Sequence, residues 1–241
     1  KIRTACLRSG ASQIIVNNVI HEIPVFLYDG ITTKEIYQRV RGLLKKYSVY
    51  SEIRFRLKEA MINMGPSGFL FENYFNQILK HYGYNTKSGI VLKGYCIDHE
   101  IDIIAEDFRK EKKYMIECKY HNTFGVYSGL KDILYTYARF LDLKDGYEKG
   151  VCEHLDNVWF VTNTKISNNA VKYGECKGIK LLGWAYPLNT GLEDLIKQKN
   201  LYPINVLEFI DKKTLNKFFK AGIILIKDLE IYSIKQLSEV T

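Results

Sequence analysis

Residues 98–121 read DHEIDIIAEDFRKEKKYMIECKYH, and the alternation within this stretch decides the fold. Two runs, at residues 100–105 and 113–120, each contain a stretch (100–103 and 116–120) in which apolar and charged residues alternate, which is the two-residue period of a β-strand. The charged connection between the two runs, residues 106–112, is short enough for a hairpin. We therefore expect two adjacent strands here.

Acidic and basic side chains fall on matching faces of these two strands. Glu100 and Asp102 share one face of the first strand, and Glu117 and Lys119 share one face of the second. If the register of the hairpin brings these faces together, Asp102, Glu117 and Lys119 meet at one point. Glu-x-Lys on a strand is also a frequent solvent-facing pattern, so the surrounding sequence has to decide between the two interpretations.

Two carboxylates beside a lysine suit the hydrolysis of phosphodiester bonds. The carboxylates of Asp102 and Glu117 can hold Mg²⁺, with Mn²⁺ as a substitute, and the backbone carbonyl of Cys118 is a candidate third ligand. Such a cation activates a water molecule, and Lys119 can orient or deprotonate that water or stabilise the transition state. Glu100 lies on the same face as Asp102 and is the alternative acidic ligand.

Outward from the hairpin, helical and extended patterns alternate. The predicted elements are a helix at 69–82, strands at 90–96, 100–105 and 113–120, a helix at 128–143, a strand at 157–162, a helix at 167–176 and a short strand at 179–182. Helices on both sides of a run of strands indicate an α/β layer structure. Gly65-Pro66-Ser67-Gly68 marks the boundary before it.

A family resemblance rests on four matches that occur in the right order between residues 68 and 184. They are Phe71-Glu72, Glu100-Ile101-Asp102-Ile103, Glu117-Cys118-Lys119, and a closing strand–helix–strand with Val161-Thr162-Asn163, Ala170 and Gly178-Ile179-Lys180-Leu181-Leu182. Together they resemble the Mrr-type restriction endonuclease domain of the PD-(D/E)xK nuclease superfamily. The resemblance implies a restriction-endonuclease-like central mixed sheet flanked by helices.

The same resemblance implies roles for individual residues. Asp102 and Glu117 would be metal ligands, Lys119 the catalytic lysine, and Glu72 an accessory carboxylate on the first helix. The alternative for Glu72 is an exposed or capping glutamate.

The chain departs from the family pattern at two places. His99 stands where the family often has a glycine, and the helix from Ser128 lacks the glutamine often found there. That helix offers Lys131, Tyr135 and Tyr137 instead. We take His99, Lys131 and Tyr135 as candidate substrate contacts.

Residues 1–66 are predicted to form a helical module, in which Thr33 caps a helix that has Glu35 in its first turn. The module resembles an ATP-cone in Ser9-Gly10-Ala11-Ser12, in residues 29–37 and in Arg54-Phe55-Arg56-Leu57. The hairpin with which an ATP-cone normally begins is absent from the sequence or lies outside it. ATP or dATP is therefore a candidate ligand without assigned binding residues, and the alternative is a bundle that braces the nuclease or mediates dimerisation.

Residues 187–241 are predicted to form a small helical domain, which leaves residues 67–186 as the nuclease domain. Ala221-Gly222-Ile223 follows a helical pattern and is similar to a helix-hairpin-helix, in which backbone N–H groups contact a DNA phosphate. Ordinary core packing of helices explains the same pattern. Four lysines of this segment would strengthen contact with phosphate, although such runs are usually a solvated face: Lys212, Lys213, Lys217 and Lys220.

Composition narrows the class of protein. The net charge of +8 favours a polyanionic partner such as nucleic acid, and no apolar run reaches the ~18 residues that a membrane span needs. The five cysteines are scattered without a Cys-x-x-Cys pair, which predicts free thiols in a reducing, cytoplasmic compartment. Cys96 with His99 and Cys118 with His121 have a zinc-like spacing, but we place all four on strands, where residues three apart point to opposite faces.

The leading hypothesis is a Mg²⁺-dependent endonuclease that hydrolyses DNA, of restriction or defence type. A homodimer on DNA would provide the two active sites of a double-strand cut. The alternatives are a Holliday-junction resolvase-like nuclease and a non-catalytic nucleic-acid-binding or nucleotide-sensing protein on the same scaffold.

Overall fold

The computed structural model describes residues 1–240. The α-helices are α1 (Ile2–Arg8), α2 (Gln13–Glu22), α3 (Thr33–Tyr47), α4 (Val49–Ile62), α5 (Phe69–His81), α6 (Leu130–Glu148), α7 (Asn168–Cys176), α8 (Leu192–Lys199), α9 (Lys212–Lys220) and α10 (Ile234–Val240). The strands are β1 (Asn85–Lys93), β2 (Asp98–Asp107), β3 (Lys112–Lys119), β4 (Tyr127–Ser128), β5 (Asn157–Thr162), β6 (Lys165–Ile166) and β7 (Lys180–Leu182). Short 3₁₀ helices span Ile23–Phe26, Ile204–Val206 and Ile226–Ile231.

The central sheet has the strand order β1-β2-β3-β5-β7. β2 is antiparallel to β1 and β3, whereas β5 is parallel to β3 and β7. Parallel neighbours need a crossover connection, which α6 supplies between β3 and β5, and α7 between β5 and β7. The expected α/β fold with a mixed sheet flanked by helices is confirmed.

The predicted hairpin forms, but its strand β2 and the preceding strand β1 differ in extent from the prediction. β2 begins two residues before Glu100 and runs on to Asp107, since pairing with β1 extends it. The preceding strand was predicted at residues 90–96 and instead ends at Lys93. The reason is a turn in which Gly94 N donates to Ile97 O at 2.8 Å.

The helix predicted from Ser128 begins two residues later, at Leu130. Ser128 belongs to β4, which pairs with β6 in a separate two-stranded sheet. Its hydroxyl is buried and donates to Thr162 Oγ1 at 3.0 Å. The start of α6 is therefore fixed at the carboxyl end of β5, next to the end of β3.

One hydrophobic core joins the sheet to α6 and α7. Its buried residues include Ile104, Met115, Val158, Phe160, Ile133, Leu143, Ala170 and Leu181. Each fully buried aliphatic or aromatic side chain of this kind contributes about 1.5–3 kcal/mol. Ile104 lies two positions from Asp102, and Met115 two positions from Glu117, so the acids lie on the face that this core covers.

Contacts divide the described chain into two compact units. One unit consists of Lys1–Ala60 with Asn205–Asp211, and the other of Met61–Ile204 with the residues from Lys212 onward. The expected domain boundaries at residues 66/67 and 186/187 stay predictions.

The first unit has its own core and a charged network. The core residues are Cys6, Ala11, Val16, Val19, Ile23, Val40 and Leu44. Arg41 Nε lies 2.7 Å from Glu52 Oε1, and Arg56 Nη1 donates to Val206 O at 2.8 Å. The first contact joins α3 to α4, and the second attaches residues 205–211 to α4.

The capping residue of α3 is Thr32, so the prediction of Thr33 was wrong by one position. Thr32 has an extended backbone and its Oγ1 accepts from Glu35 N at 3.2 Å. Glu35 Oε2 in turn accepts from Thr32 N at 3.0 Å, which completes a capping box. The ATP-cone resemblance of this unit is not confirmed and stays a prediction.

Within the second unit, the segment after the sheet packs on α5. Tyr74 Oη donates to Leu201 O at 2.7 Å, and Tyr82 Oη donates to Leu195 O at 3.0 Å. α9 ends before Gly222, whose φ of 78° is the left-handed conformation that glycine tolerates. The helix-hairpin-helix resemblance of this segment stays a prediction.

Across residues 1–240, the helices are either too short or too polar to span a lipid bilayer.

Candidate active site

β2 and β3 part at the position of the predicted acids. Their pairing ends at Ile103 and Ile116. Continued by one step, this register sets Asp102 opposite Glu117. Cys118 N donates to Asp102 Oδ2 at 2.7 Å, so the carboxylate is held where the two strands separate.

The separation leaves a cavity of about 310 Å³ that both acids line. The other lining residues are Ile97, Asp98, His99, Glu100, Tyr135 and Arg139. Tyr135 and Arg139 come from α6, which covers this face of the sheet. The cavity is therefore built from β2, β3 and α6 together.

Like charges crowd this cavity. Burial, followed by the charge of Asp102, raises the pKa of Glu117 to about 7, although Arg139 and Lys119 act in the opposite direction. Burial also raises the pKa of Asp102, against the hydrogen bond from Cys118 N. A cation between the two carboxylates would favour their ionised forms.

Arg139 is the cation that already contacts one of these acids. Its Nη1 donates to Glu117 Oε2, and its Nη2 donates to the backbone oxygen of Glu100. The guanidinium carbon lies 5.4 Å from the centre of the Tyr135 ring, within the range of a cation–π interaction. The side chain of Arg139 is only 11% exposed.

Lys119 lies at the rim of a neighbouring cavity of about 300 Å³. This cavity is lined by Glu117, Lys119, Lys131, Asp132, Tyr135, Thr136 and Phe160. Lys119 is 47% exposed, and its Nζ lies 3.7 Å from Asp132 Oδ1, which is a long and weak ion pair. Its amine is therefore not locked away from the site. Glu117 and Tyr135 line both cavities and connect them.

Glu72 lies in the first turn of α5 and lines neither cavity. Burial, followed by the charges of Asp102 and Glu100, raises its pKa to about 7. A Cβ atom at Gly68 would lie 3.1 Å from Glu72 Oε1, so the glycine leaves room for the carboxylate. Glu72 thus approaches the acids from the helix, and its accessory role stays a prediction.

His99 is buried and holds the turn between β1 and β2. Its Nε2 lies 2.7 Å from Asp142 Oδ2 on α6. The same carboxylate accepts from Cys96 N at 2.7 Å. Burial opposes ionisation of Asp142, but these hydrogen bonds prevail and lower its pKa to about 2. His99 also lines the larger cavity, so its predicted contact with substrate stays a prediction beside this structural one.

The three candidates on α6 separate into two groups. Lys131 and Tyr135 are exposed and line the cavity beside Lys119. Tyr137 instead packs against the core, where its ring meets Tyr173 at 6.2 Å between centroids. Tyr137 is therefore occupied by packing, whereas Lys131 and Tyr135 face the site.

Divalent metal binding depends on oxygen donors here. Within residues 1–240, no three side chains of His, Cys, Asp or Glu are grouped to hold a metal ion. Mg²⁺ keeps several waters and binds through one or two carboxylates, so Asp102 and Glu117 with the Cys118 carbonyl fit its preferences without a third acid. Burial is the first cause of the raised pKa of both acids, and the charge of Asp102 adds to it at Glu117.

The Cys and His pairs do not lie as the sequence analysis expected. Cys96 is in the turn before β2, and His121 follows the end of β3, so neither is on a strand. Cys118 is buried, and Cys96 and His99 both bond to Asp142. All five cysteines of the described chain are free.

Arg139 is a residue of this site that was not predicted from the sequence. Lys131, Tyr135 and Arg139 recur every four residues along α6 and so share one helix face. That spacing was a usable signal once Tyr135 had been singled out. Asp142, three residues further along the helix, holds His99 and was also not predicted.

Comparisons with known proteins bear on the family and the fold of the chain. Residues 65–184 match the family model Mrr_cat, which describes a restriction endonuclease. A protein of Archaeoglobus fulgidus, described as uncharacterized, is 43% identical over 165 residues, which are 68% of this chain and 88% of that protein.

Two solved structures are similar to the chain. The crystal structure of the protein of unknown function AF1548 matches with a TM-score of 0.62 and 40% identity, over 72% of this chain and 89% of that one. MspJI restriction endonuclease in complex with a 27-mer oligonucleotide matches with a TM-score of 0.38 and 12% identity, over 82% of this chain and 39% of that one. The second likeness is too distant to bear on the site. Through the domain at residues 65–184, the chain belongs to the Mrr-type restriction endonuclease family.

Proposed function

We propose that this chain is a metal-dependent endodeoxyribonuclease of restriction or defence type. The observation that carries the proposal is the pair Asp102 and Glu117 in the cavity where β2 and β3 part. Membership of a restriction endonuclease family supports nuclease chemistry. The net charge of +8 favours a polyanionic substrate such as DNA.

In this proposal Asp102 and Glu117 bind Mg²⁺, and the Cys118 carbonyl is a further ligand. When held by these residues, such a cation would lower the pKa of a coordinated water and offset charge on the reacting phosphate. Cys118 N holds Asp102 in position through the 2.7 Å hydrogen bond, which limits the reorganisation needed on binding.

Lys119 is the proposed catalytic lysine. From the rim of the site its ammonium group donates hydrogen bonds to the attacking water and to the phosphate oxygens. The water oxygen bonds to phosphorus and releases a proton to solvent, while the bond to the departing sugar oxygen breaks and that oxygen takes up a proton from a second water. Glu72, whose pKa of about 7 reflects burial and the nearby acids, is the accessory carboxylate.

The test is cleavage of plasmid DNA with Mg²⁺ or Mn²⁺ by the wild-type chain and by Lys119→Ala. We expect the variant to lose at least about 100-fold in rate while it keeps its affinity for DNA, because a positioned acid–base group contributes that much. Lys112→Ala is the matched control, since Lys112 is an exposed lysine at the other end of β3.

Other outcomes would favour the alternatives. Binding of modified and unmodified DNA without any cut by the wild-type chain would favour a non-catalytic binder. A strong preference for four-way junctions over linear duplex would favour a resolvase. Equal cleavage by the wild-type chain and Lys119→Ala would contradict the proposed role of the lysine.

The proposal extends to assembly and compartment. A double-strand cut needs two active sites, so we propose a homodimer on DNA, which analytical ultracentrifugation with a duplex would detect. The free thiols suit a reducing compartment such as the cytoplasm.

A further inference from the structure

Arg139 occupies an unusual place for a buried cation, because its partner is one of the acids that the proposed function assigns to the metal. The guanidinium donates to Glu117 Oε2 through Nη1 and to the Glu100 backbone oxygen through Nη2. The Tyr135 ring supports it at 5.4 Å. Arg139 therefore bridges β2, β3 and α6 across the cavity.

Two cations at the same carboxylate repel each other, so each weakens the binding of the other. Arg139 Nη1 occupies Glu117 Oε2, and the cavity that both residues line holds about 310 Å³. The Oδ2 atom of Asp102 accepts from Cys118 N instead, and Arg139 acts on this acid through its charge alone, which opposes the rise in the pKa of Asp102. Of the two opposed acids, Glu117 is thus the one with a resident cation.

Resting on the proposed function, we infer that Arg139 competes with the divalent ion for Glu117 and releases that carboxylate when DNA enters the site. A guanidinium presents several donors in one plane, which match the oxygens of a phosphate as well as those of a carboxylate. Arg139 lines the cavity beside Asp102, so a phosphate bound there lies within its reach. Transfer of Arg139 to that phosphate frees Glu117 for the metal.

The inference has a thermodynamic consequence. If DNA removes the competitor, DNA strengthens metal binding, and by linkage the metal strengthens DNA binding by the same factor. The chain alone then binds divalent ions weakly, and the complete site forms only on its substrate.

The test measures Ca²⁺ binding by isothermal titration calorimetry, with and without a duplex oligonucleotide, and a gel confirms that the duplex stays intact. We use Arg139→Gln, and Arg139→Lys as a second variant that keeps the charge with fewer donors. Lys144→Gln is the matched control, because it removes one positive charge from the exposed side of α6. Arg139 lowers the pKa of Glu117, so its loss should raise that pKa further. The titrations are therefore made at about pH 8.5, where the carboxylate is more fully ionised.

We expect Arg139→Gln to bind Ca²⁺ about tenfold more tightly than the wild-type chain without DNA, as the loss of one charge-assisted competitor implies. DNA should tighten Ca²⁺ binding by the wild-type chain and by Lys144→Gln, but much less by Arg139→Gln. Arg139→Lys should lie between the two. Circular dichroism checks that each variant is folded.

Equal or weaker Ca²⁺ binding by Arg139→Gln, or an unchanged effect of DNA on it, would overturn the inference and leave the proposed function intact. The proposed function itself would be rejected if the wild-type chain bound no divalent ion even with DNA and gave the same heat signal as Asp102→Asn.

Discussion

The two ends of the β2–β3 hairpin carry opposite arrangements of charge on the same face. Near one end Asp102 lies opposite Glu117, and near the other Glu106 pairs with Lys113. The pair Ile104 and Met115 separates them in register.

The electrostatic consequences are opposite as well. The pKa of Glu106 is lowered, chiefly by its hydrogen bond with Lys113, whose Nζ lies 3.0 Å away. The pKa of Glu117 is raised to about 7 by burial and by Asp102. Glu106 thus has a lysine opposite it on the hairpin, whereas Glu117 is buried opposite a second acid. An ion pair across the hairpin supports the fold, and the two opposed acids are, under the proposed function, the place where an external cation would bind.

The largest effect that sharpens this comparison is on cleavage. Asp102→Asn and Glu117→Gln should each lower the rate of DNA cleavage by at least about 100-fold, because each removes a proposed metal ligand and its charge. Their melting temperatures should stay near the wild-type value or rise, since a buried carboxylate with a raised pKa is costly in the folded state. Calorimetry and a plasmid assay measure both quantities.

Glu106→Gln is the matched control for those variants. It sits on the same strand face and should cleave DNA within about twofold of the wild-type rate. Unfolding of Asp102→Asn or Glu117→Gln would assign those acids to the fold and erase the difference between the two ends.

The next effect is the pH dependence of stability without added metal. Glu117 has a folded pKa of about 7 against an ordinary 4.5, so the unfolded chain loses this proton first as pH rises. The free energy of unfolding should therefore fall between these two values, by about 2 kcal/mol from this group after allowance for partial exposure. Urea titrations of the wild-type chain and of Glu117→Gln would reveal the difference in slope.

Glu106→Gln should change the slope in the opposite sense. The folded pKa of Glu106 is lowered, so its contribution is present above its ordinary pKa and is lost as pH falls through the folded value. If both substitutions changed the pH dependence of the free energy of unfolding in the same direction relative to the wild-type chain, the contrast between the two ends would be contradicted.

The smallest effect is on stability at the end of the hairpin where Glu106 pairs with Lys113. Lys113 also pairs with Glu153, so Lys113→Met should lower the free energy of unfolding by about 1 kcal/mol and leave cleavage unchanged. Lys112→Met, at the neighbouring exposed position, provides the baseline. A loss of cleavage in Lys113→Met without a loss of stability would mean that both ends of the hairpin serve the reaction.

Much of the fold could be predicted because the period of apolar residues is a local property. Strand β5 matches its prediction over residues 157–162, and α5 and α7 differ from theirs by one residue at one end. The errors lie where a contact with a distant residue ends or extends an element. The turn at Gly94 ended β1 early, because it packs against Asp142 on α6.

The strand residues of the candidate site were predicted from the sequence, as were Lys131 and Tyr135 on α6. Alternation put Asp102, Glu117 and Lys119 on polar faces, and the family resemblance added Glu72. Arg139 could not be linked to Glu117 in advance, because its position depends on how α6 crosses the sheet.

Residue order and a period of two were enough to predict the two strands and the faces of their acids, and the resemblance to known motifs predicted the nuclease family. Only the tertiary structure decided that the strands part at Asp102 and that Arg139 reaches Glu117. Alternation fixes the face on which a side chain lies, but the register of strands and the docking of a helix depend on packing between residues far apart in the chain.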